Sequence, residues 1–356
     1  MAARRRPLVR RLAGSSAPAL LAVALLLSGC GGQTDPVPTT TVPSPVVPAA
    51  KAAPPDIPIV WPLTGVATDE IAARPALAIK IENSRDARPQ TGLEDADVVW
   101  EEVVEGGITR YVAVYHSTIP DVVEPVRSVR PMDPAIVAPL DGILAYSGAQ
   151  PPFITAVGDA GVQSVIMDAG DAGFRRDPNR YAPHNVIGDP EAFLAQDDGE
   201  RTTPPPAQFR FGAAGKSTAA ADGTAAKHLA VTMSAAQRSV WDWSAKARQW
   251  QRSEGDDPSM STSGEQHAAE NVVVLEVQVT NTSYKDPSGA PVPETQLVGS
   301  GTGLVASGGK ILEVEWSKES LHEPVVLTVA GEPVELEPGS TWVELMPSGT
   351  GSFTTS

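Results

Sequence analysis

The sequence predicts an α+β protein: a mixed-sheet N-terminal domain with short helices, followed by a mostly β C-terminal domain. Three observations carry that prediction. Apolar residues alternate over short runs, the period of strands with one covered face. The stretches that suit helices are short and interrupted by proline. The 34 prolines and 31 glycines among 356 residues punctuate the chain into many turns and linkers. Should the strands run parallel, the same elements would make an α/β fold.

Taken in order, the globular part opens at Trp61-Pro62-Leu63-Thr64-Gly65, and residues 76–82 (ALAIKIE) alternate as a strand. Residues 98–105 and 108–116 read as two strands joined at Gly106-Gly107, a dipeptide suited to a tight hairpin. A two-residue turn there places Arg110 opposite Val103, on the face of Glu101 and Glu105. Residues 132–140 predict a short helix limited by Pro134 and Pro139. Strands are expected at 143–147 and 162–167 and a helix near 190–196, which completes an N-terminal domain over 61–196. From 197 to 226, Asp197-Asp198-Gly199-Glu200, Pro204-Pro205-Pro206 and an Ala/Gly/Ser/Thr run read as a linker or insertion. The C-terminal domain, 227–347, carries expected strands at 228–233, 247–252, 271–280, 295–298, 310–316, 325–329 and 341–345, with a tail at 348–356. In 310–316, Leu312, Val314 and Trp316 face one way and Glu313 and Glu315 the other.

Ahead of the globular part lies an export signal. Arg4, Arg5, Arg6, Arg10 and Arg11 precede an apolar run from Ser16 to Leu27, too short to span a bilayer as a helix. The run ends at Leu27-Ser28-Gly29-Cys30, a lipobox in all four positions. Residues 1–29 therefore read as a lipoprotein signal peptide, with Cys30 as the acylated (palmitate-bearing) residue. Residues 30–60 hold eight prolines and predict an extended stalk of about 3 Å per residue. The expected location is the extracytoplasmic face of the cell membrane, with the lipid on Cys30 as the membrane partner and a cell-wall polymer or envelope protein as a further one.

Charge and composition exclude several classes. The formal charge is −16, and loss of the five signal-peptide arginines leaves 22 basic against 43 acidic residues, or −21. Nucleic acid needs a basic face and is not an expected partner. A single cysteine closes no intramolecular disulfide and builds no thiolate zinc site. The histidines have no metal-ligand spacing, so no metal and no cofactor are expected. Gly212-Ala213-Ala214-Gly215-Lys216-Ser217 ends like a P-loop but has Arg210 where the first glycine belongs, and Ser307-Gly308-Gly309-Lys310 puts two glycines where an SxxK helix would start.

Longer motifs carry a resemblance. Pro62-Leu63-Thr64-Gly65, Ile81-Glu82-Asn83, Ala87-Arg88-Pro89-Gln90-Thr91-Gly92-Leu93, Ala96-Asp97 and Glu105-Gly106-Gly107-Ile108-Thr109-Arg110 resemble the YerB-like family of bacterial lipoproteins. So do Pro125-Val126-Arg127-Ser128-Val129-Arg130, Ala182-Pro183-His184-Asn185, Asn271-Val272-Val273-Val274, Gly301-Thr302-Gly303, Glu315-Trp316 and Thr341-Trp342-Val343. The resemblance covers most of 61–346. It implies a lipid-anchored, extracytoplasmic protein of two domains and supplies no catalytic residue or ligand. Tyr146-Ser147-Gly148-Ala149-Gln150 departs from the family's pattern.

Within an acidic chain the N-terminal domain concentrates cations. Arg127 and Arg130 flank Ser128 just before an expected helix start, and arginine forks bind carboxylate or phosphate bidentately. With Arg88, Asn83, His184 and Asn185 they form the candidate site for an anionic ligand. The competing reading pairs these cations within the fold, with Asp133, Asp97 and Glu82 as partners. Glu101 and Asp133 with His184 are the candidate groups for acid–base hydrolysis, which requires two carboxylates across one cleft. Trp241, Trp243, Trp250, Trp316 and Trp342 read as core, with a sugar-stacking platform as the alternative. The function expected is a binding or scaffold protein at the cell envelope; the alternative is a hydrolase of glycan or a phosphate-containing polymer.

Overall fold

The computed structural model describes residues 58–356. The expected signal peptide, Cys30 and all but the last three residues of the stalk lie outside the described residues.

Three strands rich in alternating β-branched residues form the centre: β1 (Leu77–Glu82), β2 (Val98–Val103) and β3 (Thr109–Tyr115), each buried along its whole length. They lie in the order β2-β3-β1, and β4 (Ile143–Tyr146) and β5 (Gln163–Ile166) continue the sheet in parallel with β1. Two prolines in the 132–140 segment confine α1 to Asp133–Val137, and a single 3-10 turn follows at Ala138–Leu140. The helix α2 (Pro151–Asp159) crosses between β4 and β5, and α3 (Pro190–Leu194) is capped by the Asp189 carboxylate, which accepts from the Ala192 amide. Parallel and antiparallel pairs share one sheet, and helices are few and short. The class is α+β.

The β2–β3 hairpin differs from its two-residue expectation. A wider loop is closed by the Val104 amide, which donates to the Ile108 carbonyl at 2.8 Å, and Gly106 and Gly107 take left-handed φ values of 71° and 74°. The register pairs Glu102 with Arg110 instead of Val103 with Arg110. A one-residue slip exchanges the faces, so Arg110 sits with Glu102 and away from Glu101.

The C-terminal half extends the same sheet. Strands Asn271–Lys285, Gly299–Ser307, Lys310–Lys318 and Val326–Val329 follow one another, and Thr341–Pro347 joins them to β2, pairing in parallel on both sides. Thirteen strands result. A second, six-stranded sheet is built on His228–Thr232, Arg238–Ser244, Gln249–Glu254 and Ser352–Thr355, so part of the expected tail pairs as a strand. In 197–226, Phe209 and Ala219 are buried, Arg210–Phe211 pairs with Glu335–Leu336, and Ser217 caps α4 (Thr218–Asp222).

The large sheet is covered on both faces. On one, Ala78, Val98, Trp100, Val112 and Val114 cluster with Ile136, Phe153 and Phe209. On the other, Ile79, Val99, Tyr111 and Ala113 cluster with Leu229, Val231, Trp241 and Trp250 of the small sheet. Trp316 and Trp342 are buried as well, so these tryptophans serve as core. The site lies where the small sheet's edge meets the chain leaving β1.

Candidate functional site

Alternation along β2 sends Glu101 toward the small sheet and Glu102 toward the helices. Glu101 meets Arg252 of the Gln249–Glu254 strand, Nη2 to Oε2 2.7 Å, with neither side chain exposed. The same guanidinium donates to Glu254 and lies 4.8 Å from the Trp342 ring centre, 5.5 Å from Tyr111 and 5.7 Å from Trp241. Rings and carboxylates together replace the water a buried cation loses. Burial alone would lower the Arg252 pKa, but Glu101 and Glu254 hold it charged, well above the ordinary value. Glu344 lies beside Glu101 in parallel register. Burial, then the charge on Glu101, push the Glu344 carboxyl well up, and it accepts from Trp241 Nε1 and the Ser239 hydroxyl at 3.0 Å each.

The network reaches the surface through Glu254, Gln237 and Arg88. Arg88 Nε donates to Asn83 Oδ1 at 3.0 Å, and its Nη2 reaches the Asn83 carbonyl at 2.9 Å, Gln237 Oε1 at 3.2 Å and Glu254 Oε2 at 3.0 Å. Asn83 passes the chain inward, donating to Thr109 Oγ1 at 2.8 Å and Glu101 Oε1 at 3.3 Å. Burial tends to raise the Glu254 carboxyl, yet Arg252 and Arg88 hold it below the usual range. Above these groups opens a cavity of about 580 Å³, lined by Asn83, Arg88, Gln90, Gln237, Glu254 and Ser259 with Ile108 and Met260. A second cavity of about 460 Å³ lies beside Arg88 and Pro89, bounded by Asp86, Asn179, Arg180, Tyr181 and His184. Tyr181 is 90% exposed at its edge. Arg180 braces the ridge between, donating to the carbonyls of Ala87 at 2.9 Å and Pro89 at 2.5 Å.

The structure brings Asn83 and Arg88 together at the first cavity, and Arg88 and His184 at the second. Arg127 reaches His184 only through Glu82: its Nε lies 3.1 Å from Glu82 Oε2, and His184 Nδ1 lies 2.9 Å from Glu82 Oε1. Arg130 stands apart, bound to Glu105 at 2.7 Å. Asn185 is spent on its own loop, accepting from Arg176 Nη1 at 2.7 Å and donating to the carbonyls of Asp177 and Arg180 at 3.2 Å each. The three candidate acid–base groups do not share a cleft. Glu101 and Asp133 are fully buried on opposite faces of the sheet, and His184 sits at the second cavity. Among the described residues no cluster of His, Cys, Asp or Glu could hold a metal ion.

Gln90, Arg180, Gln237, Arg252 and Glu254 were not singled out by sequence reasoning as site residues. A signal for two of them exists: Trp250, Arg252 and Glu254 alternate on one strand face, so a core tryptophan carries a cation and an acid into the interior with it.

Residues 63–203 match the N-terminal-domain model, and 229–343 the C-terminal-domain model, of a protein family of unknown function (DUF3048). The chain is 26% identical over 295 residues to "Putative lipoprotein YerB" of Bacillus subtilis (strain 168), covering 80% of this chain and 86% of that one. The crystal structure of the YerB protein from Bacillus subtilis superposes with a TM-score of 0.72 at 23% identity, across 83% of this chain and 99% of the other.

Proposed function

The chain belongs to the DUF3048 family, and from that premise we propose that it is a lipid-anchored extracytoplasmic binding protein. It takes an anionic group of an envelope polymer or partner in the clefts flanking Arg88. The observation that supports this reading is the placement of Arg88. Its guanidinium is fixed from behind by Asn83, Gln237 and Glu254 yet remains partly exposed, and it lines both cavities. A fixed guanidinium loses little freedom on binding, and its Nη1, the nitrogen those contacts do not engage, can donate to a carboxylate or phosphate oxygen. The second cavity adds Arg180, 3.6 Å from Glu124 Oε1, and His184, 2.9 Å from Glu82 Oε1, with Asp86 as the one acid among its lining residues. Amides of Gln90 and Gln237 and the Ser259 hydroxyl in the first cavity suit the neutral polar part of the same ligand. Cys30, lipidated, keeps the body at the membrane, and the proline-rich stalk gives it reach.

The test is thermal stability of the purified full chain with soluble cell-wall fragments, phosphates and dicarboxylates. At least one class raises the melting temperature of the wild type, and the rise is lost in Arg88→Gln and His184→Gln. If no class shifts the wild type, or both variants respond as it does, the reading is wrong.

A further inference from the structure

On the face of the large sheet opposite Arg252 lies a second buried ionic group. Lys80 of β1, Glu102 of β2 and Asp133 at the start of α1 are all fully enclosed. Lys80 Nζ is 2.7 Å from Asp133 Oδ1 and also donates to Glu102 Oε1. Asp133 Oδ2 accepts the backbone amide of Arg130 at 2.6 Å, and Glu102 Oε2 has no hydrogen-bond partner. Apolar side chains on the same face, Trp100 and Val112 with Ile136 and Val137 of α1, belong to the surrounding core.

Nothing in the binding clefts uses these groups. Three ionisable side chains out of water cost several kcal/mol per ion unless they are neutralised. Burial, reinforced by Asp133, lifts the Glu102 carboxyl above its ordinary range, so it carries a proton where surface glutamates do not. An amine, a carboxyl group and an acid held in contact in a dry pocket are the reactants and the catalyst of an amide condensation.

We propose that Lys80 and Asp133 join in an intramolecular isopeptide bond, with Glu102 as the proton carrier. Within their contact one proton passes from Lys80 Nζ to Asp133 Oδ1, leaving a neutral amine and a neutral acid. The Nζ lone pair then attacks Asp133 Cγ, and the C–N bond forms as the carbonyl electron pair moves onto Oδ2. The Arg130 amide is placed to stabilise that oxyanion. Glu102 delivers its proton to the Oδ1 hydroxyl and takes one from Nζ in return, which leaves it protonated as it began. The carbonyl re-forms at Oδ2, and the C–Oδ1 bond breaks with release of one water. An ammonium and a carboxylate contain the same atoms as one amide and one water, so no further reactant is required. The product is neutral, which removes the cost of burying the pair, and it staples β1 to α1.

Mass spectrometry decides the matter. The wild-type full chain is expected one water lighter than the same lipidated sequence without the bond, and proteolysis yields a branched peptide joining Lys80 to Asp133. That peptide separates an isopeptide from a succinimide, which loses the same water within one peptide. Lys80→Arg and Glu102→Gln keep their full masses. Asp133→Asn, which preserves the contact, loses one ammonia instead and gives the same branched peptide. A wild type of full mass with separate Lys80 and Asp133 peptides overturns the proposal. A bond that still forms in Glu102→Gln overturns the role given to Glu102.

Discussion

Arg252 and Glu101 stand 151 positions apart in the chain and meet in the interior at 2.7 Å, one contributed by each half of the protein. Removing the cation leaves Glu101 and Glu254 buried without their main counter-charge. Arg252→Met is expected to cost about 3–5 kcal/mol in denaturant unfolding. Arg252→Met combined with Glu101→Gln should recover part of that loss, because an amide tolerates the site better than an orphaned carboxylate. A loss below about 1 kcal/mol for the single variant, the range of an exposed pair, would show that the contact carries little stability.

His267 sets an acid limit on the fold. Burial, then the neighbouring Arg252 charge, lower its pKa from the ordinary 6.5 to about 4. The unfolded chain therefore takes up a proton at this ring below about pH 6.5, whereas the folded chain resists until about pH 4. The stabilisation is present above the unfolded value and is lost as the pH falls through that window, an effect of about 3 kcal/mol. In His267→Gln the decline of unfolding free energy between pH 7 and 4 should be shallower than in the wild type by about that amount. Parallel curves for the two proteins would remove His267 as the cause.

Gly65 closes the Pro62-Leu63-Thr64-Gly65 motif at φ 65°, and a β-carbon there would lie 2.4 Å from the Phe211 side chain. Both the backbone and the close approach demand glycine. Gly65→Ala should destabilise the protein by about 1–3 kcal/mol. Gly65→Ala combined with Phe211→Gly, which removes the β-carbon that the new methyl would meet, should lose only the backbone share of that coupling. Strict additivity of the two substitutions would mean that the contact is not felt.

Cys30→Ser tests the anchor independently of the clefts. The variant should leave the membrane fraction and the detergent phase, while its melting temperature and ligand response match those of the wild type. A serine variant that partitions into membranes as the wild type does would show that another feature holds the chain there.

Alternation made the strands legible. Val314 and Trp316 are buried and Glu313 and Glu315 exposed, as one covered face requires. The same rule is insufficient at β1, where Lys80 and Glu82 share one face of ALAIKIE with Ala78. In the fold both faces of β1 are covered, so these charges go inward and must find partners there. The β2–β3 hairpin was legible as a pair and not in its register, because a wider loop around Gly106 and Gly107 shifts every partner by one. The arginines chosen as ligand groups illustrate a further limit. Composition showed that cations gather in the first half, and Glu82 stood among the fold-internal partners expected for them, but its pairing with Arg127, and that of Glu105 with Arg130, are assigned only by three-dimensional approach. Arg88 keeps an open side because its partners, Asn83, Gln237 and Glu254, all lie behind it.

Thr341–Pro347 is the keystone of the large sheet, hydrogen-bonded to β2 on one side and to Asn271–Lys285 on the other. Ribosomes add it after both of the strands it joins. Until it arrives, each half of the sheet presents a raw edge of unpaired amides and carbonyls, the surface on which aggregation starts. A polypeptide terminated ahead of Thr341 can never seal that gap, so the architecture itself discriminates finished molecules from prematurely ended ones.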